Sequence, residues 1–108
     1  TEDNKMMVNV DFIVNMKPGS VFINTARGGL VDERALADAL KSGFLSAAAV
    51  DVLETEPPSI DCPLLGIDNC IITPHMAWSP KEMRQAVIDV LAENLQSWLN
   101  GGRLNRVE

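Results

Sequence analysis

The chain has 108 residues, 46% of them hydrophobic, and a net charge of −6 from nine Lys and Arg against fifteen Asp and Glu. This suits one domain with a core of its own, and the acidic balance without a basic stripe argues against nucleic acid or an anionic membrane surface as partner. No apolar run approaches the roughly 18 residues of a membrane span, the polar start Thr1-Glu2-Asp3-Asn4-Lys5 does not read as a signal peptide, and Cys62 and Cys70 form no CxxC, which predicts a cytoplasmic protein with free thiols and no metal site.

Residues 9–16 read as a short helix capped by Asn9, with Phe12, Ile13 and Met16 facing inward. Lys17-Pro18-Gly19 is a turn signal. Residues 20–24 follow as a buried strand, and Thr25-Ala26-Arg27-Gly28-Gly29 as a loop at its carboxyl end. Asp32 caps a second helix in which Leu36, Ala39 and Leu40 share a face, and Gly43 ends it. Residues 47–52 form a second buried strand. Residues 54–61 are an acidic, proline-rich loop. A turn around Asp68-Asn69 leads to a third strand, 70–73, stopped by Pro74. Ser79, Pro80 and Glu82 have the spacing of a capping box with proline at the first helical position. The helix they open runs to about Leu99, with Met83, Ala86, Val87, Val90, Leu91, Leu95 and Trp98 at helical spacing. Asn100-Gly101-Gly102 ends it. There is no repeat, low-complexity segment or dividing linker.

The order helix, strand, helix, strand, loop, strand, helix predicts an α/β fold of three parallel strands with flanking helices. The strands are continuous apolar runs, as in a sheet covered on both faces. Parallel strands bring their carboxyl ends to one edge, where open α/β sheets bind ligands. Arg27 leaves the first strand there, Glu56 the second, and His75, the only histidine, the third. Each has a bland reading alone: a surface arginine, a solvated acidic loop, an ordinary histidine. Their coincidence on one edge makes them candidate catalytic residues.

Ile23-Asn24-Thr25-Ala26-Arg27-Gly28-Gly29-Leu30-Val31-Asp32-Glu33, then Asp51-Val52-Leu53-Glu54-Thr55-Glu56-Pro57, then Thr73-Pro74-His75-Met76-Ala77 resemble the three signatures of the D-isomer-specific 2-hydroxyacid dehydrogenases. Met16-Lys17-Pro18-Gly19 and the tail from Gly102 to Val107 are similar as well, although the family more often has a proline pattern in the tail. Trp78 and the segment Lys81 to Gln85 are most similar to the glycerate dehydrogenase and hydroxypyruvate reductase branch. The resemblance implies hydride transfer between NAD or NADP and a small 2-oxo or 2-hydroxy acid. It implies that Arg27 binds the substrate carboxylate, that His75 is the acid and base, and that Glu56 holds the imidazole. It implies cofactor-facing roles for Thr25, Ala26, Arg27, Asp51, His75, Met76, Ala77 and Trp78.

The chain departs from that family in having no GxGxxG to hold a pyrophosphate, no acidic ribose reader and no separate substrate domain. Residues 1–108 thus resemble the second half of a Rossmann-type doubly wound sheet, the C-terminal part of a dinucleotide-binding domain, expected to be inactive alone. The alternative is a non-enzymatic interaction module that retains the motifs by descent. Relatives of formate dehydrogenase, which lack a Glu in the Glu56 role, and corepressor-like relatives are further readings. In the family order the 20–24 strand would lie beside an absent strand. That predicts an open apolar edge, and association with a second copy or with a missing N-terminal part.

Overall fold

In a computed structural model, which describes residues 2–107, the chain forms two compact units that divide after His75. The first contains helix α1 (Val10–Val14), strand β1 (Val21–Asn24), helix α2 (Glu33–Lys41) and strands β2 (Ala47–Val50) and β3 (Cys70–Ile72). The second contains helix α3 (Lys81–Leu99).

The three strands form one parallel sheet in the order β1-β2-β3, with β2 central. Register pairs Val21 with Ala47, Asn24 with Val50, and Val50 with Ile72. The α/β architecture expected from the alternation is therefore present. Asn9 caps α1 as expected, its Oδ1 accepting from the Phe12 N–H at 3.0 Å. Asp32 caps α2, with Oδ1 accepting from the N–H groups of Arg34 and Ala35, each at 3.0 Å. Gly43, at φ 76°, follows the C-terminal end of α2 in the left-handed conformation that glycine adopts without steric cost.

Both helices of this unit serve one face of the sheet. Ile13 from α1 and Leu36, Ala37 and Leu40 from α2 pack with Ala48 and Val50 of β2 and with Leu45, Leu53 and Leu64. Burial of a leucine such as Leu36, which is fully enclosed, contributes about 1.5–3 kcal/mol. The expectation of a sheet covered on both faces is not met within this unit. Val21, Ile23 and Ile71 share the opposite face by register and are 54%, 68% and 66% exposed. The reason is topological. The β1–α2–β2 crossover lays its helix on one side, and the β2–β3 connection carries Leu64 into that same core and contains no helix.

Three local expectations are also corrected. Phe12 is exposed, because five-residue α1 turns only Ile13 fully inward, while Met16 packs at the core margin. The segment after Arg27 is a turn of 3-10 helix, Gly28–Leu30, and is not a plain loop. It docks on the N-terminal segment through a parallel bridge between Val8 and Val31.

Ser79 does not cap α3. Its N–H closes a turn on the Met76 carbonyl at 2.9 Å, and the Pro80 carbonyl takes the Arg84 N–H, so no capping box forms. In the second unit the apolar residues of α3, among them Met83, Val87, Leu91, Leu95 and Trp98, are exposed, because among its described residues this unit has no other helix or strand to cover them. Gly101, at φ 74°, follows the helix end, as expected of Asn100-Gly101-Gly102.

Candidate functional site

The site is built on a row of residues just at and beyond the carboxyl ends of the strands. The Asp51 N–H donates to the Asn24 carbonyl at 2.9 Å, and the Thr73 N–H to the Val50 carbonyl at 3.0 Å, so the ladder continues one residue past each strand. Asn24 is buried. Its Oδ1 accepts from the Ala26 N–H and its Nδ2 donates to the Arg27 carbonyl, both at 3.0 Å. This side chain closes the turn that presents Thr25, Ala26 and Arg27, all exposed at the edge. The Arg27 guanidinium rests on the Ala26 carbonyl through Nη1 at 2.7 Å.

Asp51 is 6% exposed and accepts from the Thr73 hydroxyl at 2.5 Å. Beyond Thr73, the His75 N–H folds back to the Thr73 carbonyl at 3.0 Å around Pro74, and His75 takes a left-handed φ of 51°. That conformation costs a non-glycine residue on the order of 1–2 kcal/mol. It sets the ring against Glu56, with Nδ1 2.7 Å from Oε2. The other carboxylate oxygen, Oε1, accepts from the Leu53 N–H at 3.0 Å. The bond from His75 holds the Glu56 carboxyl below the usual glutamate range, and the Leu53 N–H adds to the effect. Glu56 is thus ionised at neutral pH and can only accept, so Nδ1 carries the proton and Nε2 is the ring nitrogen outside that bond.

Two pockets share the Glu56–His75 pair as a wall. One, of about 260 Å³, also has Arg27, Gly28, Gly29 and Glu54 in its lining. The other, of about 380 Å³, is lined by Asp51 and Thr73 and by the apolar Leu53, Pro57, Pro58, Ile72 and Pro74. Arg27, Glu56 and His75, singled out from the sequence, thus meet at one pocket, and Asp51 lies across the Glu56–His75 pair from Arg27. Thr25 and Ala26 line neither pocket. Met76, Ala77 and Trp78 begin the second unit and are exposed there.

The residues present fit a nicotinamide in kind. Apolar walls suit a flat ring, and an aspartate carboxylate in the wall is the kind of acceptor that suits a carboxamide N–H. Among the described residues no group of three or more His, Cys, Asp and Glu could hold a metal ion. Cys62 and Cys70 are free thiols, and burial pushes both upward in pKa. No helix is long and apolar enough to cross a membrane among the described residues.

The sequence reading passed over Asn24 and Thr73. Asn24 carried a local signal, an asparagine at a strand end before a short polar loop. Thr73 carried none, since its partner is 22 residues away.

The family model for the D-isomer specific 2-hydroxyacid dehydrogenase NAD binding domain matches residues 1–77. A hydroxypyruvate reductase from Blautia hydrogenotrophica is 48% identical over 101 residues, 94% of this chain and 31% of the relative. A glycerate dehydrogenase from Methylorubrum extorquens is 44% identical over 110 residues, 100% of this chain and 35% of the relative. Among solved structures, a D-isomer specific 2-hydroxyacid dehydrogenase from Xanthobacter autotrophicus Py2 in complex with NADPH and MES superposes with a TM-score of 0.77 at 35% identity. That match covers 100% of this chain and 44% of the other. The chain spans about a third of the length of the curated relatives it matches. With three parallel strands of Rossmann type and the family match over residues 1–77, the chain belongs to the D-isomer specific 2-hydroxyacid dehydrogenase family, in its NAD-binding domain.

Proposed function

We propose that residues 1–108 are the C-terminal part of a dinucleotide-binding domain. The native polypeptide that carries them is then an NAD(P)-dependent oxidoreductase interconverting small 2-oxo and 2-hydroxy acids of the hydroxypyruvate and glycerate kind. The supporting observation is the His75 Nδ1–Glu56 bond at 2.7 Å on a pocket wall shared with Arg27.

Each residue has a role its chemistry supports. Arg27 binds the substrate carboxylate, because a planar guanidinium matches a carboxylate with two parallel N–H donors and stays charged. His75 delivers a proton from Nε2 to the C2 oxygen in reduction and removes it there in oxidation. Glu56 fixes the ring orientation through Nδ1 and faces the positive charge of the protonated ring. Asp51, oriented by the Thr73 hydroxyl, would accept from the carboxamide of the cofactor. When bound, the nicotinamide supplies or accepts the hydride. Thr25 and Ala26, and on sequence adjacency to His75 alone Met76, Ala77 and Trp78, are the remaining cofactor-facing positions. The two free thiols support a cytoplasmic location for the protein.

The test is reduction of hydroxypyruvate by the native polypeptide with NADH and with NADPH. His75→Ala should lower turnover by about 10²- to 10⁴-fold with a much smaller change in substrate KM. Unchanged turnover would remove His75 from the reaction. The second reading is a non-enzymatic module that keeps the motifs by descent. A native polypeptide without turnover on any 2-oxo acid, its Arg27, Glu56 and His75 intact, would support that reading. On the first reading the 108-residue chain by itself is inactive, because the phosphates of the cofactor have no loop to hold them.

A further inference from the structure

The Glu56 carboxylate sits on a loop that has little to hold it. Residues 54–61 are all exposed and belong to no helix or strand. Its fixed points lie at its ends, and both ends meet one side chain. Glu33 is the first residue of α2, half-buried, and its Oε1 accepts from the Glu54 N–H at 2.7 Å. Its Oε2 accepts from the Cys62 thiol at 3.6 Å. The helix beneath it is firmly seated, with Leu36 and Ala37 fully enclosed and Asp32 capping the first turn. An exposed loop is thereby referred to a buried helix through a single carboxylate. The next backbone N–H back along the chain from Glu54, that of Leu53, is the one that holds Glu56 Oε1.

We propose that Glu33 is a positioning residue, whose carboxylate ties the two ends of the 54–62 loop to α2 and so holds Glu56 in place against His75. Glu33 itself lines neither pocket, and acts only through the loop. The charge matters at the Glu54 end, where a charge-assisted bond is about twice as strong as a neutral one. At the other end the geometry matters, because a thiol is a weak donor. The proposal rests on the reading of Glu56 and His75 as the acid–base pair only for its consequence in turnover, not for the tether itself.

The experiment uses the native polypeptide with ¹³C-labelled glutamate carboxyl groups, together with amide hydrogen exchange. The Glu56 carboxyl is faced by His75, by the Leu53 N–H and, more weakly, by Asp51, and the bond from His75 holds it low. Glu33→Ala should move the Glu56 titration upward, toward the ordinary glutamate range. It should also speed exchange of the Leu53 amide by about ten-fold or more. Glu33→Gln keeps a carbonyl oxygen for the Glu54 N–H but not the charge, and should restore part of both readouts. Amides within α2 at Leu36 and Leu40 should keep their protection in both variants. If Glu33→Ala fails to fold, Cys62→Ala frees one end of the loop and should give the same changes in smaller degree. Unchanged Glu56 titration and Leu53 exchange in the folded variants would overturn the proposal. So would equal effects of Gln and Ala accompanied by loss of protection through α2, which would mark a plain loss of helix stability. Neither readout needs turnover. A native polypeptide with the tether intact but no reductase activity would count against the functional reading and leave the tether standing.

Discussion

Gly28 offers a sharp test of how the two loops of the site are fitted together. A Cβ at this position would lie 1.9 Å from the Leu53 carbonyl carbon, 2.1 Å from its oxygen and 2.4 Å from the Glu54 nitrogen. Carbon atoms in ordinary contact sit about 3.5–4.0 Å apart, so the two backbones would have to separate by roughly 1.5 Å. The obstructing atoms are main chain, and they are held from behind. Leu53 is buried in the core, and the Glu54 N–H is bound to Glu33. Overpacking of this kind costs about 1–3 kcal/mol, and rigid neighbours place Gly28→Ala at the upper end.

Urea unfolding of the chain measures it. With a slope of roughly 1–1.5 kcal/mol per molar for a domain of this size, a loss of about 3 kcal/mol lowers the midpoint by roughly 2–3 M at unchanged slope. Gly29→Ala is the control. Nothing lies within 4 Å of its Cβ, and its φ is not in the left-handed region, so its stability should change by about 0.5 kcal/mol or less. Equal midpoints for the two variants would refute the close approach of the Arg27 turn to the Leu53–Glu54 backbone.

Further expectations concern the core, the acid pair and the sheet edge. Leu36→Ala should cost about 2–5 kcal/mol in the same urea assay, since the side chain is fully enclosed and its removal leaves a cavity. Glu56 is held below its ordinary pKa, so the stability it adds is present above that value and is lost as pH falls through its folded value. The window lies below roughly pH 4–5. His75→Ala should raise the Glu56 midpoint in ¹³C titrations, and an unmoved midpoint would contradict the assigned cause. The free edge of β1 carries Val21, Phe22 and Ile23 with no charge or proline to protect it. The 108-residue chain should therefore associate in solution, and a monomeric mass with fast amide exchange at Val21 to Ile23 would count against pairing there.

Much of this was legible in the sequence, for identifiable reasons. The run Val21-Phe22-Ile23 followed by polar residues marks a strand and its loop wherever the chain goes next, because local period and composition decide it. Asp32 announced α2, since a side-chain cap is a local event. Ser79 misled because the same spacing allows the start to slip, and a turn closing on Met76 takes the Ser79 N–H first. Glu56 stood out from its acidic loop only beside His75, and their bond crosses 19 residues. Thr73 and Glu33 act through partners 22 and 21 residues away, which no local pattern reports. The apolar runs of the strands state that both faces want cover, yet they do not say which element supplies it.

The arrangement separates what is rigid from what is reactive. Asn24, Asp51 and Thr73 form a row fixed by ladder bonds and by buried polar contacts, and the chemistry hangs from this row on turns. The Glu56–His75 pair is itself open to water, at 37% and 42% side-chain exposure. Solvent screens a pair at that exposure, so its bond adds little to stability and can be kept for orientation. Proton transfer to a substrate oxygen gains most when water is excluded and the surrounding dipoles act at short range. The geometry that selects Nε2 is complete within residues 1–75, and exclusion of water is not. On the proposed function, the orientation of the acid and base thus belongs to this part of the molecule.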